Sequence, residues 1–140
     1  MMMKPRIAVI DDDPVILKLM NMLLTYNGYE TILWSEAETA CEMLRQQQPD
    51  LVTLDLSMQG DPDAGLKVIE CLCSDPTTSE IPVIIVSSTA DTFHGGDTRL
   101  TTLAYARLVK PVSFEGLLYH VATALQQAPT RSEAKLGGKT

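Results

Sequence analysis

The chain has 140 residues, which suits one domain, and its 45% hydrophobic and 21% charged residues are ordinary for a globular protein. That balance excludes intrinsic disorder of the whole chain. A formal charge of −7 and a pI near 4.7 argue against a nucleic-acid-binding surface and against attraction to anionic membranes, which both need clustered Lys and Arg.

Apolar runs alternate with helical patterns along the chain. Ile7–Ile10 is a short apolar run of the kind that forms a strand buried on both faces. Asp13-Pro14 then predicts a helix start, with Asp13 as N-cap and Pro14 at the first helical position. Ile16, Leu19, Met20 and Leu23 follow at helical spacing, and Asn27-Gly28 ends the helix. Tyr29–Trp34 reads as the second strand. Ser35 with Glu38 predicts a capping box for a second helix, whose apolar stripe is Ala37, Ala40, Cys41 and Leu44.

Pro49-Asp50 breaks that helix. Leu51–Leu54 is the third strand, with Asp55 at its carboxyl end. Gln59–Asp63 is a Gly/Pro/Asp loop, and Leu66–Cys73 a third helix with Asp63 as candidate cap. Val83–Val86 is the most apolar strand and ends at Ser87-Ser88. His94-Gly95-Gly96 interrupts the next stretch, leaving a short helix expected over 97–103. Ala106–Val109 is a fifth strand, followed by Lys110-Pro111, where a cis bond is accessible. The last helix carries Phe114, Leu117, Leu118, Val121, Ala122 and Leu125 in period, capped by Ser113. Residues 4–127 are expected to form the domain, and the polar stretch 128–140 a disordered tail or linker stub.

No apolar run approaches the roughly 18 residues of a membrane span. Ile7–Ile10 is too short for a signal-peptide core. Three cysteines, an odd number, do not read as a disulfide framework. Cys41 reads as core, and Cys71 and Cys73, two apart on a helix, point to different sides and do not form a metal pair. The expected compartment is the reducing cytoplasm.

Strands alternating with helices predict an α/β fold: a doubly wound five-stranded parallel sheet with helices on both faces. Ligands of such sheets bind beyond the carboxyl ends of the strands, at a switch point. The residues there are Asp11, Asp12 and Asp13, then Asp55, then Ser87 and Ser88, then Lys110. Crowded carboxylates repel, and at least one has its pKa raised unless a cation intervenes. A hard divalent ion with oxygen ligands suits them, and Mg²⁺ takes one or two carboxylates with water and phosphate oxygens. A carboxylate, a metal, an ammonium and a hydroxyl around one point suit phosphoryl transfer, with Asp55 the natural nucleophile.

Four stretches carry a resemblance: Ile-Ala-Val-Ile-Asp-Asp-Asp-Pro, Pro-Asp-Leu-Val-Thr-Leu-Asp-Leu, Ile-Pro-Val-Ile-Ile-Val-Ser-Ser and Val-Lys-Pro. Together and in order, over roughly residues 4–126, they resemble the receiver domain of two-component response regulators of the chemotaxis-regulator-like kind. The resemblance implies a flavodoxin-like fold with strand order 2-1-3-4-5. It implies a phosphoprotein rather than an enzyme, with Asp55 accepting a phosphoryl group from a sensor histidine kinase or histidine phosphotransfer protein. Mg²⁺ would be held by the side chains of Asp12 and Asp55 and the backbone carbonyl of Ser57, with Asp11 acting mostly through water. Ser87 and Lys110 would hold phosphoryl oxygens, Ser87 moving inward on phosphorylation. The output would be protein contact with a downstream target, and a homodimer through the last two helices and strand is left open.

Departures from the family pattern are specific. The loop Gln59–Gly65 is about two residues longer than usual, with Gln59 where Pro is common. The switch aromatic of the family sits three residues before the Lys, a position held here by Arg107, with Tyr105 nearby. Ser87, Tyr105 and Arg107 are therefore the switch candidates. Rival readings fit less well. A phosphatase of the haloacid dehalogenase type wants a second Asp where Ser57 stands, and a flavin or nucleotide module wants a phosphate loop where three aspartates stand. A degenerate receiver that only binds partners is the remaining alternative.

Overall fold

The structure, a computed structural model, describes residues 3–88 and 106–127. The expected helix at 97–103, Tyr105 and the tail at 128–140 lie outside the described residues.

Five strands form one parallel sheet: β1 (Arg6–Ile10), β2 (Glu30–Trp34), β3 (Leu51–Asp55), β4 (Val83–Ser87) and β5 (Ala106–Val109), in the order β2-β1-β3-β4-β5. Four helices are described: α1 (Pro14–Tyr26), α2 (Ala40–Gln47), α3 (Ala64–Ser74) and α4 (Phe114–Gln127). β3 and β4 are buried along their full length, which is why they read as mostly apolar runs, with Thr53 inside β3 and Asp55 and Ser87 at the strand ends. The edge strands β2 and β5 carry partly buried and exposed residues, in strict alternation only in β5.

Successive side chains of a strand point to opposite faces, and two cores follow. Ile7, Val9, Leu51, Ile84 and Val86 pack with Met20 and Leu24 of α1 and with Leu117, Val121 and Ala124 of α4. Ala8, Ile10, Val52, Leu54 and Ile85 pack with Met43 and Leu44 of α2 and with Val68, Ile69 and Leu72 of α3. Beyond β1 the chain crosses to β2, and beyond β3 it crosses to β4 on the other side. The switch point therefore lies between the carboxyl ends of β1 and β3.

Asp13 caps α1, its Oδ1 accepting from the Val15 N–H at 2.9 Å. The capping box at Ser35 and Glu38 does not form. α2 begins at Ala40 with Thr39 at the N-cap position, and the Thr39 hydroxyl accepts from Trp34 Nε1 at 3.0 Å while bonding Glu36 Oε1 at 3.3 Å. Thr39 is thus drawn into local side-chain bonds, and no side chain caps the helix. Asp63 occupies the N-cap position of α3 without capping through its side chain. The Lys110-Pro111 bond is cis. Cys41 and Cys71 are joined in a disulfide across α2 and α3, which corrects the reading of Cys41 as a plain core residue and of the cysteines as unpaired. They are 30 residues apart and meet only because two consecutive crossovers lie side by side on one face of the sheet.

Candidate functional site

Three strands end in the same place. Asp11 and Asp12 follow β1 directly, Asp55 is the last residue of β3, and Lys110 follows β5. Carboxylate oxygens of Asp11, Asp12 and Asp55 all lie within 4.8 Å of one another. Asp11 and Asp55 are buried and Asp12 is exposed. Lys110 Nζ stands 3.3 Å from Asp11 Oδ2 and 3.3 Å from Asp55 Oδ2, bridging the two buried acids.

The electrostatics follow from this crowding. Burial raises the Asp55 pKa, the Asp11 charge raises it further, and Lys110 and the Ser57 N–H offset only part of the shift, leaving it at about 6. Burial acts to lower the Lys110 pKa, but Asp11 and Asp55 outweigh it and hold the ammonium above its ordinary value. Asp55 Oδ1 accepts from the Ser57 N–H at 3.4 Å, and Asp11 Oδ1 accepts from the Asp13 N–H at 2.9 Å. Each buried acid thus has one backbone donor and a share of one ammonium. The donor set fits a hard divalent cation: oxygen ligands only, from two chain segments, with one member facing solvent where water can complete the shell.

Ser87 ends β4, fully buried, and its carbonyl accepts from the Lys110 N–H at 2.7 Å. Its hydroxyl accepts from Arg107 Nε at 3.4 Å. Of the sequence-predicted residues, then, Asp11, Asp12, Asp55 and Lys110 come together, Ser57 adjoins them through its N–H, and Ser87 and Arg107 pair with each other.

Two residues adjoin the site in a way the sequence alone does not reveal. Gln59, in the left-handed region at φ 51°, donates its N–H to Asp12 Oδ2 at 2.8 Å. Its side chain donates to the Ser35 carbonyl at 2.8 Å and accepts from the Ala37 N–H at 3.5 Å, tying the β3–α3 loop to the β2–α2 loop. The signal was the absence of proline, since a proline here could offer no N–H to Asp12. Gly65 is the second. A Cβ there would lie 2.6 Å from the Asp55 carbonyl oxygen and 2.7 Å from Leu56 Cα, so α3 packs this closely against the end of β3 only with glycine at that place.

The response regulator receiver domain family matches residues 7–122. The chain belongs to that family. It is 32% identical to the DNA-binding response regulator MtrA of Mycolicibacterium smegmatis over 90 residues, 64% of this chain and 37% of that protein. It is 35% identical to the response regulator PleD of Caulobacter vibrioides over 86 residues, 61% of this chain and 18% of that protein. The receiver chain thus spans well under half the length of these relatives. A solved sensor protein from Polaromonas sp. JS666 superposes with a TM-score of 0.79 at 26% identity, over 89% of this chain and 98% of that one. The fold is the flavodoxin-like one of receiver domains. Among the described residues no helix is long and apolar enough to cross a membrane.

Proposed function

We propose that residues 4–127 of this receiver accept a phosphoryl group on Asp55 from a phosphohistidine donor in a cytoplasmic phosphorelay, and pass the signal on by protein contact. The convergence of Asp11, Asp12 and Asp55 with Lys110 between two of them carries this reading. Asp12 and Asp55, with Asp11 and the Ser57 carbonyl, would hold Mg²⁺. Bound there, Mg²⁺ supplies positive charge against both the anionic nucleophile and the anionic donor.

The Asp55 carboxylate attacks phosphorus as the phosphorus–nitrogen bond of the donor breaks, and the bonding electrons stay with the imidazole. Lys110 Nζ, already 3.3 Å from Asp55 Oδ2, follows the developing charge onto a phosphoryl oxygen. The same groups assist the later attack of water, so the domain times its own signal and is not a turnover enzyme. The Ser87 hydroxyl serves another phosphoryl oxygen, which requires it to turn from Arg107. In this reading Ser87 and Arg107, with Tyr105, are the switch.

The donor docks on α1. Val15, Leu19, Met22 and Tyr26 recur at helical spacing and are 62%, 43%, 59% and 90% exposed, an apolar stripe that starts beside Asp12 and Asp13. A sensor histidine kinase or histidine phosphotransfer protein with an apolar helical surface around its histidine fits that stripe.

Acetyl phosphate with Mg²⁺ tests the reading by intact mass. One adduct of about 80 Da, the mass of HPO₃, is expected, absent in Asp55→Asn. No adduct on the parent protein leaves a degenerate receiver that acts only by binding, and an adduct that survives the substitution refutes Asp55 as the acceptor.

A further inference from the structure

The three cysteines of the chain are sorted into two environments. Cys41, in the first turn of α2, and Cys71, on α3, form a disulfide with their Cα atoms 6.3 Å apart. Both are half-buried at the rim of the helix pair, outside the apolar cluster that joins the two helices through Met43, Leu44, Val68 and Leu72. Arg45, one turn along α2, sets Nη2 3.5 Å from Cys41 Sγ and 3.6 Å from Cys71 Sγ. The guanidinium is fixed there by Asp75 at 2.8 Å from Nε and Glu42 at 2.6 Å from Nη1. Cys73, two residues beyond Cys71, packs against the apolar cluster, and burial pushes its thiol pKa up.

A cation beside sulfur favours the thiolate, the form that attacks disulfides, whereas an apolar setting keeps a thiol inert. The Arg45 charge is shared with two carboxylates, which hold the guanidinium beside the sulfurs and offset part of its charge there. The apolar contacts between α2 and α3 stand without the sulfur bond. The pair is therefore placed to open and close in a folded protein. The segment it closes, residues 41–71, contains β3, Asp55, Ser57 and Gln59.

We propose that Cys41 and Cys71 are a reversible redox site, exchanging with low-molecular-weight disulfides and thiols of the glutathione type, and that its state sets the stability of the segment carrying Asp55. One thiolate attacks a sulfur of the small disulfide, releasing one small thiol and leaving a mixed disulfide on the protein. The second thiolate attacks the protein sulfur of that mixed disulfide and releases the second small thiol. Two electrons pass from the protein to the small disulfide, and the two thiol protons end on the two released thiols. This site does not depend on phosphorylation of Asp55.

The full chain, equilibrated in buffers of varied reduced and oxidised glutathione, then quenched with acid and alkylated with N-ethylmaleimide, tests this by intact mass and peptide mapping. The oxidised end is expected to carry one alkyl group, on Cys73, with a Cys41–Cys71 linked peptide, and the reduced end three. The midpoint should be the same from either direction. Far-ultraviolet circular dichroism should not change, while the melting temperature falls by roughly 10 °C on reduction, from the loss of the loop constraint. Arg45→Ala should slow exchange severalfold without changing the alkylation rate of Cys73. In Cys41→Ser, a glutathione adduct on Cys71 is expected, not a Cys71–Cys73 link. Three alkyl groups at every ratio, a link through Cys73, or a bond that no thiol concentration opens in the folded protein would overturn the proposal.

Discussion

At the amino-terminal end of the sheet, Asp50 accepts the Arg6 N–H at 2.8 Å and donates its own N–H to the Arg6 carbonyl at 2.8 Å. The Arg6 guanidinium reaches the Gln47 carbonyl and Oε1, both at 2.7 Å. At the carboxyl end, three carboxylates crowd together and two of them share the ammonium of Lys110. The same sheet thus carries acids of two kinds. Asp50 joins β1 to the turn before β3 and stabilises the fold. Asp55 sits where its charge opposes the fold until a further cation arrives. A strand end that is fully satisfied is structural, and one left short of positive charge is a place for chemistry.

Substitutions at the two ends should therefore have opposite signs. The largest effect is expected at Asp55. Its pKa is about 6 in the folded chain and 3.8 for an ordinary Asp, so the folded state binds the proton more tightly than the unfolded one. The stability this contributes is complete below about pH 4 and is lost as pH rises through about 6. At pH 7 without divalent ions the ionised carboxylate costs roughly 3 kcal/mol. Asp55→Asn should accordingly stabilise the protein by about 2–3 kcal/mol in urea unfolding at pH 7, with the gain gone near pH 4. Equal stability of the two proteins at both pH values would contradict this.

Asp50→Ala should do the reverse. It strands the Arg6 N–H, for a loss of about 1–2 kcal/mol that urea unfolding at pH 7 reads and that Mg²⁺ does not change. The smallest effect is expected at Gln59. Gln59→Ala leaves the backbone donor to Asp12 but releases the side-chain tie to Ser35 and Ala37. Loss of this two-bond tie, about 1 kcal/mol at the ligand it steadies, should weaken Mg²⁺ roughly fivefold, read from the fluorescence of Trp34, with the unfolding midpoint in metal-free buffer nearly unchanged.

Much of this was legible in the sequence. The buried central strands announced themselves because both of their faces meet helices, and Asp13-Pro14 because a cap and a first-turn proline act locally. Asp11, Asp12, Asp55 and Lys110 could be placed because a parallel sheet brings strand ends together whatever lies between them. The α2 entry was misread because Thr39 is taken up by Trp34 and Glu36, a competition among neighbours that spacing does not reveal. The Cys41–Cys71 bond was missed because it depends on how two crossovers lie against each other, and the count of three argued against pairing. Gln59 was visible as a departure, but its bond to Asp12 depends on a left-handed backbone set by the folded loop and not by local sequence.

Thermal melting at pH 7, in Mg²⁺ and in EDTA, puts the balance of charge at the β1 and β3 ends to its plainest trial. The parent protein should melt several degrees higher with Mg²⁺, because a cation that binds only the folded chain stabilises it by mass action. Asp55→Asn should start higher in EDTA and gain far less. Mg²⁺ shifts of the same size in both proteins, or none in either, would show that these carboxylates do not share a cation.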